Sequence, residues 1–368
     1  MLLKRVTVEH IDNRTGFVLK KIVTSEWEQL NRKLAVNNSL FSCELARLRF
    51  EKPILKSPFQ IQHIRYDIKG QAWDFNGIPI NKTHANKQNR FYFVFQQRSE
   101  EMWDILTWAE AENNFQDIAT RGLPFVPYSI PLKGAIDDWK ARKEDAESIL
   151  NKSQTLIPIF CSKHKREYFE PMFAQEFRNS KLIGIQCYSL NDPLSLLNLT
   201  KVKILNLSTT IGQESPLILG LNHGRMISSI SNVSGAFAYA CFGCDILSER
   251  QTFLENMPPD VVKKIVEKKP DDVYRYDTTE GGFNFSEEQE FWNGINMTRA
   301  FLENVSLNEG LTPFQAIQWA NFNNQQEDLG LLNEKILKTR DLPNSAIDFV
   351  RTEKSRWASF WQKINATG

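Results

Sequence analysis

Apolar residues recur at a strand-like spacing at the start of the chain and again through its middle third. In the first hundred residues, short runs rich in Val, Ile, Phe and Tyr alternate with turn formers. They predict strands at residues 2–11, 16–23, 41–50, 59–68 and 91–95. The polar stretch 78–90 predicts an exposed loop. A helix is predicted over 100–119, where Ser99 can cap the first turn.

The middle of the chain has a different pattern, in which almost continuous apolar runs are separated by helical or loop intervals. These runs predict strands at residues 155–161, 181–189, 202–208, 217–221 and 237–247. Helices are predicted between them at 166–178 and 226–240. Strands that are apolar on both faces are typical of a parallel sheet covered by helices. The pattern therefore predicts an α/β fold, either most of a (β/α) barrel or a doubly wound sheet.

The same reading divides the chain into three parts. A basic, β-rich domain with one helix is predicted over 1–122, and a (β/α) barrel-like domain over 123–250. Pro124, Pro127 and Pro131 predict a rigid connector at the boundary. Residues 251–368 predict a mainly helical extension.

Charge is balanced over the whole chain but not along it. The 368 residues include 45 Lys+Arg and 44 Asp+Glu, a net charge of +1. The first hundred residues alone hold 17 Lys+Arg against 9 Asp+Glu, an excess of 8 positive charges. An excess of this kind favours a polyanion, so tRNA or DNA is the expected partner of the N-terminal domain.

Several classes of protein are disfavoured by the sequence. No apolar run approaches the roughly 18–20 residues of a membrane helix, and the N-terminus lacks the apolar core of a signal peptide. We therefore expect a cytoplasmic protein with no membrane contact. Walker A, GxGxxG, HExxH, GxSxG and kinase signatures do not occur, so no cofactor is predicted.

Five cysteines in a chain of this length do not indicate a disulfide framework. The pairs Cys161/His164 and Cys241/Cys244 have a spacing that Zn²⁺ sites use. Both pairs overlap predicted apolar strands, where successive side chains point to opposite faces. Buried structural cysteines are the favoured interpretation, and no metal is predicted.

Polar side chains follow the predicted strands of the middle segment, where parallel α/β proteins collect their ligands. The candidate site residues at these strand ends are Asp192, Asn222, His223, Arg225, Asp245 and Arg250. Each has a structural alternative. The 222–225 segment also fits a simple strand-to-helix turn, Asp245 a helix cap, and Asp192 an Asx turn, which is the favoured interpretation for that residue.

Two stretches carry a family resemblance. Residues 182–193, LIGIQCYSLNDP, are similar to a strand and turn of the tRNA-guanine transglycosylase superfamily, which includes the DNA 7-deazaguanine transglycosylases. Residues 216–221 and 243–250, PLILGL and GCDILSER, resemble its last barrel strands. The family's zinc signature is absent, and its nucleophile aligns with Leu247, which leaves Asp245 as the nearest carboxylate. The resemblance implies a barrel that flips out a base and exchanges it through a covalent sugar intermediate.

Two functions are compatible with these observations. The first is a nucleic-acid-directed glycosyltransferase of transglycosylase type. In it, Asp245 would act as nucleophile or base and His223 as proton shuttle, while Arg225 and Arg250 contact phosphate. The second is a non-catalytic binding or scaffold subunit of a larger assembly or homo-oligomer. There, the aromatic residues Trp357, Phe360 and Trp361 would anchor protein interfaces.

Overall fold

The structure, a computed structural model, covers several separate stretches of the chain. It describes residues 2–37, 55, 57–64, 66–67, 72–73, 78–96, 120–123, 137, 139–141, 143–144, 147–148, 155–230, 232–250, 274–284 and 313–366. The strand predicted at 41–50, the helix predicted at 100–119 and the proline connector lie outside these residues.

The described strands number seventeen. They are β1 (Leu3–Asp12), β2 (Phe17–Thr24), β3 (Glu28–Leu30), β4 (Lys33–Leu34), β5 (Phe59–Ile64), β6 (Tyr66–Asp67), β7 (Ala72–Trp73), β8 (Phe91–Gln96), β9 (Thr120–Leu123), β10 (Thr155–Cys161), β11 (Leu182–Gln186), β12 (Leu217–His223), β13 (Met226–Ile227), β14 (Val233–Ser234), β15 (Ile246–Glu249), β16 (Arg275–Asp277) and β17 (Gly282–Asn284).

Seven α-helices are described. They are α1 (Ile78–Lys87), α2 (Arg166–Asn179), α3 (Pro193–Leu207), α4 (Gly235–Ala240), α5 (Pro313–Lys338), α6 (Ser345–Asp348) and α7 (Ser355–Ala366). A 3₁₀ turn at Ser228–Ile230 and a π-type turn at Phe349–Glu353 complete the regular structure.

A parallel sheet organises the chain, and the predicted α/β class is confirmed. Its strand order is β4-β15-β12-β11-β10-β9-β8-β5, and every neighbouring pair is parallel. Val36, just beyond β4, also forms a parallel bridge to Gln60 of β5. Parallel neighbours need crossover connections, which is why helices occur between the strands.

Three antiparallel sheets accompany the parallel one. The N-terminal strands form β1-β2-β3, the short strands after β12 join the 275–284 segment as β13-β14-β17-β16, and β6 pairs with β7. The boundary predicted between residues 122 and 123 falls inside the parallel sheet, because β4, β5, β8 and β9 belong to it together with β10–β12 and β15.

Two predicted elements are wrong for the same physical reason. The loop predicted at 78–90 contains α1, which connects the parallel neighbours β5 and β8 and buries His84 and Ala85. The strand predicted at 202–208 belongs to α3, in which Leu199, Val202 and Asn206 are buried at helical spacing. In both cases the need for a crossover helix outweighs the local preference.

The strand predicted at 237–247 is wrong except for its last two residues, and the helix predicted at 226–240 is confirmed only at 235–240. Residues 235–240 form α4, a turn follows, and β15 begins only at Ile246. The preceding 226–234 segment, predicted to be helical, holds β13 and β14 instead. The Ser234 side chain caps α4 by accepting from the Phe237 N–H, so the chain changes from strand to helix at that residue.

The C-terminal aromatics do not form an interface surface. Trp357 and Phe360 are 1% exposed and Trp361 is 8% exposed, all within the chain's own core. The Trp357 ring stacks on Phe237 of α4 with the two centroids 4.0 Å apart. The prediction that these three residues anchor partner proteins is therefore wrong for this chain.

Alternate residues of the parallel strands point into two different cores. Leu219 and Ile246 belong to a cluster that includes the inward residues of β5 and β8, whereas Ile218 and Leu247 pack with the helices. At the carboxyl-terminal part of the first face, His63 Nε2 lies 3.5 Å from Ser248 Oγ. Burial lowers the pKa of His63 from 6.5 to about 4.

This buried imidazole makes stability depend on pH. The unfolded chain protonates His63 near pH 6.5, whereas the folded protein does so only near pH 4. The free energy of unfolding is therefore highest above pH 6.5 and decreases as the pH falls from 6.5 towards 4. Over that range we expect the free energy of unfolding to decrease by about 3 kcal/mol less in His63→Gln than in the wild type. Urea unfolding at pH 7 and pH 4 measures the difference. An unchanged pH dependence in the variant would contradict it.

Candidate active site

The last residues of β12 and β15 stand side by side at the carboxyl end of the sheet. His223 is in register with Glu249, and the Arg250 N–H donates to the His223 carbonyl at 2.8 Å. The register shifts between Gly220 and His223, where Asn222 has a positive φ of 58°. A shift of one residue reverses the face of a strand, so His223 shares the face of Glu249.

Glu249 is held by side chains from two further segments. Arg225 Nε donates to its Oε2 at 3.1 Å, and Gln325 Nε2 of α5 approaches its Oε1 at 3.5 Å. The Ser234 hydroxyl donates to Gln325 Oε1 at 2.7 Å, which turns the amide nitrogen towards the carboxylate. Burial alone would raise the pKa of Glu249, but Arg225 and the hydrogen bonds outweigh it and lower the pKa. Glu249 is therefore ionised near neutral pH.

His223 is neutral and holds an available lone pair. Its Nδ1 donates to the Gly224 carbonyl at 3.0 Å, so Nε2 is the unprotonated ring nitrogen. Among the described residues, Nε2 has no hydrogen-bond partner although His223 is fully buried. Burial lowers the pKa of His223, and the lower pKa keeps the ring uncharged. The arrangement can accept a proton next to a fixed carboxylate.

The structure brings together three of the predicted site residues. Asn222, His223 and Arg225 meet at the end of β12, and the exposed Arg250 follows β15 at the same end of the sheet. Sequence reasoning did not select Glu249 or Gln325 as site residues. Glu249 follows the end of the strand predicted at 237–247, but Asp245 was selected there as the carboxylate. Gln325 lies 76 residues further along the chain, and no local pattern relates it to the site.

Asp245 does not belong to this group. It was predicted to lie at the carboxyl end of a strand, and this placement is wrong because Asp245 precedes β15. Four residues separate it from Glu249, or about 13 Å along an extended strand. Asp245 therefore lies at the opposite end of the sheet from His223.

The contacts of Asp245 are those of a structural ion pair. Its Oδ2 accepts from Lys20 Nζ and from the Ile218 N–H, both at 2.8 Å, and its Oδ1 accepts from Asn31 Nδ2 at 2.7 Å. Lys20 is fully buried and also donates to the Pro216 carbonyl at 2.8 Å. Burial lowers the pKa of Lys20, and Asp245 opposes that shift.

Asp192 has the structural role that its sequence favoured. It is the N-cap of α3, and its Oδ2 accepts from the Ser195 N–H at 3.0 Å and from the Ser195 hydroxyl at 2.7 Å. Pro193 occupies the first turn, where a missing N–H has little cost. Both observations fit a helix start, and Asp192 contacts none of the site residues above through a side-chain hydrogen bond that the structure describes.

The cysteines that the structure describes are buried or half-buried thiols. Cys187, Cys241 and Cys244 are buried, Cys161 is half-buried, and the four described cysteines form no disulfide. Burial raises the pKa of Cys241 to about 12, so this thiol is protonated. Within the part of the chain that the structure describes, no three His, Cys, Asp or Glu side chains are grouped to bind a metal ion.

Comparison with known proteins adds no relative. No protein-family model matches the chain, and no curated protein matches it. Among the described helices, none has both the length and the apolar character that a membrane crossing requires.

The ion pair of Asp245 leads to a test of stability. Asp245→Ala leaves the Lys20 ammonium buried without its carboxylate, and we expect the free energy of unfolding to fall by about 3–5 kcal/mol. Asp192→Ala, the matched control at a partly exposed helix cap, is expected to lose about 1 kcal/mol. Urea unfolding of the two variants measures both values.

The double variant Lys20→Met/Asp245→Leu separates the ion pair from the packing around it. Because both charges are removed together, we expect it to recover most of the stability that Asp245→Ala loses. Equal stabilities of the wild type and Asp245→Ala would refute the structural role of this carboxylate.

Proposed function

We propose that the parallel strands close into a (β/α) barrel. The proposal is supported by the backbone of residues 35–36, which hydrogen-bonds to β15 on one side and to β5 on the other. The Ala35 N–H donates to the Leu247 carbonyl at 2.8 Å, and the Val36 N–H donates to the Phe59 carbonyl at 2.9 Å. The Ile61 N–H donates back to the Val36 carbonyl at 2.8 Å. Closure of this kind directs all carboxyl ends towards one mouth, where barrel enzymes hold their active sites.

We further propose that the chain is an enzyme that exchanges a base in a nucleic acid. The observation that carries this proposal is the ionised Glu249 carboxylate in register with the neutral His223 imidazole and clamped by Arg225. An imidazole, a guanidinium and a carboxylate at one strand end were predicted to form the site. Glu249 takes the carboxylate position that had been assigned to Asp245.

The exchange is a double displacement at the sugar C1′ atom. A carboxylate oxygen of Glu249 bonds to C1′ while the C1′–N bond breaks, and the bonding pair leaves with the base, which takes up a proton from solvent water. A nitrogen of the incoming base then bonds to C1′, and the C1′–O bond breaks to restore the carboxylate. The incoming base gives up a proton to His223 Nε2 in this step, and the imidazolium releases that proton to solvent water to restore the neutral ring.

Two features favour a nucleic acid as the substrate. The first hundred residues hold the excess of positive charge, and the family resemblance implies a polynucleotide with a flipped-out base. Arg225 is 36% exposed at its side chain and Arg250 is exposed, so both can contact phosphate at the mouth. The alternative, a non-catalytic scaffold subunit, loses support because its predicted aromatic anchors are buried in the core.

Base exchange provides the test. The full chain is incubated with tRNA or duplex DNA and each of the four radiolabelled free bases, and the label that enters the polymer is counted. We expect Glu249→Gln to lower incorporation at least 1000-fold, because the amide is not a nucleophile. Glu334→Gln, an exposed acid on α5, is the control that should leave incorporation unchanged.

A second measurement separates catalysis from folding. Glu249→Gln is expected to retain the wild-type unfolding midpoint within a few degrees and to retain its affinity for the polymer. If the wild type incorporates no base into either polymer, the enzymatic proposal fails and the scaffold function takes its place.

A further inference from the structure

An exposed aromatic ring and a cation lie together at the carboxyl end of the sheet, beside the proposed site. Tyr188, just beyond β11, is 39% exposed, although most aromatic residues described here are buried. Lys163, just beyond β10, places its Nζ 4.7 Å from the centroid of the Tyr188 ring. The Tyr188 N–H donates to Ser162 Oγ at 3.1 Å, so the two strand ends are fixed to each other.

The segment that carries Lys163 is strongly basic. Residues 162–166 read SKHKR and contain no acid. Lys163 and Lys165 are exposed, whereas Arg166 pairs with Glu170 at 2.6 Å and is partly neutralised. The Lys163 ammonium group beside the exposed Tyr188 ring, with the exposed Lys165 two residues along the chain, is complementary to a phosphate that adjoins an unstacked base.

Contacts between side chains and backbone connect Tyr188 to the proposed active site. The Tyr239 hydroxyl of α4 donates to the Tyr188 carbonyl, and the Tyr239 ring lies 5.8 Å from the His223 ring, centroid to centroid. The loops after β11 and β12 also touch, because the Ser229 hydroxyl donates to Asn191 Oδ1 at 2.7 Å. Tyr239 therefore lies between the backbone of Tyr188 and the ring of His223.

We propose that Tyr188 and Lys163 form a platform that binds single-stranded nucleic acid, with a base stacked on the Tyr188 ring and its phosphate at Lys163 and Lys165. This inference rests on the proposed function, because it supplies the contact that holds the polymer while a neighbouring base enters the site. It selects an unpaired strand over a duplex, since only an unpaired base can present its face to the ring.

Binding is measured by fluorescence anisotropy with the full chain and three labelled 15-nucleotide probes of one sequence. The probes are single-stranded DNA, single-stranded RNA and duplex DNA. We expect the single strands to bind more tightly than the duplex, and the comparison of DNA with RNA identifies which polymer the platform prefers. Stacking on one ring predicts that Tyr188→Ala weakens single-strand binding about 5- to 100-fold. Tyr188→Trp should retain the affinity, because the indole ring also stacks.

The role of Lys163 is tested by the salt dependence of binding. Lys163→Ala should weaken binding and reduce the slope of log affinity against log salt by about 0.7, the value for one lost phosphate contact on a single strand. Leu342→Ala and Lys338→Ala, at exposed positions elsewhere, are the matched controls and should leave both quantities unchanged.

The outcomes separate this inference from the proposed function. If Tyr188→Ala and Lys163→Ala bind single strands as tightly as the wild type, the platform is refuted, while base exchange still depends on Glu249. If the wild type binds a duplex as tightly as a single strand, the platform is likewise refuted. Loss of single-strand binding in both variants, with Glu249→Gln binding normally, supports the platform even if no base exchange is detected.

Discussion

The buried ion pair between Lys20 and Asp245 is the interaction on which the arrangement of this chain depends. It joins β2 of the N-terminal antiparallel sheet to the start of β15 in the parallel sheet. Both charges are out of water, and this has a large cost unless each is fully hydrogen-bonded. The Ile218 N–H, the Pro216 carbonyl and Asn31 complete those hydrogen bonds. The pair therefore fixes the central strand of the N-terminal sheet, β2, to the amino-terminal end of the parallel sheet.

The polar side chains of the parallel sheet are divided between its two ends. The amino-terminal end holds the closed network around Asp245, in which both carboxylate oxygens have donors. The carboxyl-terminal end holds Glu249, whose side chain keeps 18% of its surface exposed, and His223, whose Nε2 has no acceptor or donor nearby among the described residues. A saturated network gives stability, whereas an incompletely saturated one can bind and react. This contrast supports the proposal that the carboxyl-terminal end, and not the amino-terminal end, carries the chemistry.

Helix α5 connects both ends through buried amides. Asn333 donates to the Asn31 carbonyl at 2.6 Å near the amino-terminal network, and Gln326 Oε1 accepts from the Leu34 N–H at 2.8 Å. The residue that precedes Gln326, Gln325, contacts Glu249 at the site. A helix rich in Asn and Gln resembles a solvated surface segment in sequence, yet these amides are buried because they satisfy backbone groups that water does not reach.

The sequence by itself determined the α/β class and most of the parallel strands, and it indicated the segment 222–225 as a candidate site. These features are encoded locally, in continuous apolar runs and in polar residues that follow them. Tertiary structure decided the rest. Residues 78–87 and 202–207 form helices because each segment connects two parallel neighbouring strands, and such strands need a crossover connection. Because the strand has a β-bulge at Asn222 and β15 begins only at Ile246, the carboxylate next to His223 is that of Glu249 and not that of Asp245. Register between strands 26 residues apart depends on long-range hydrogen bonds, and no local pattern in the chain specifies them.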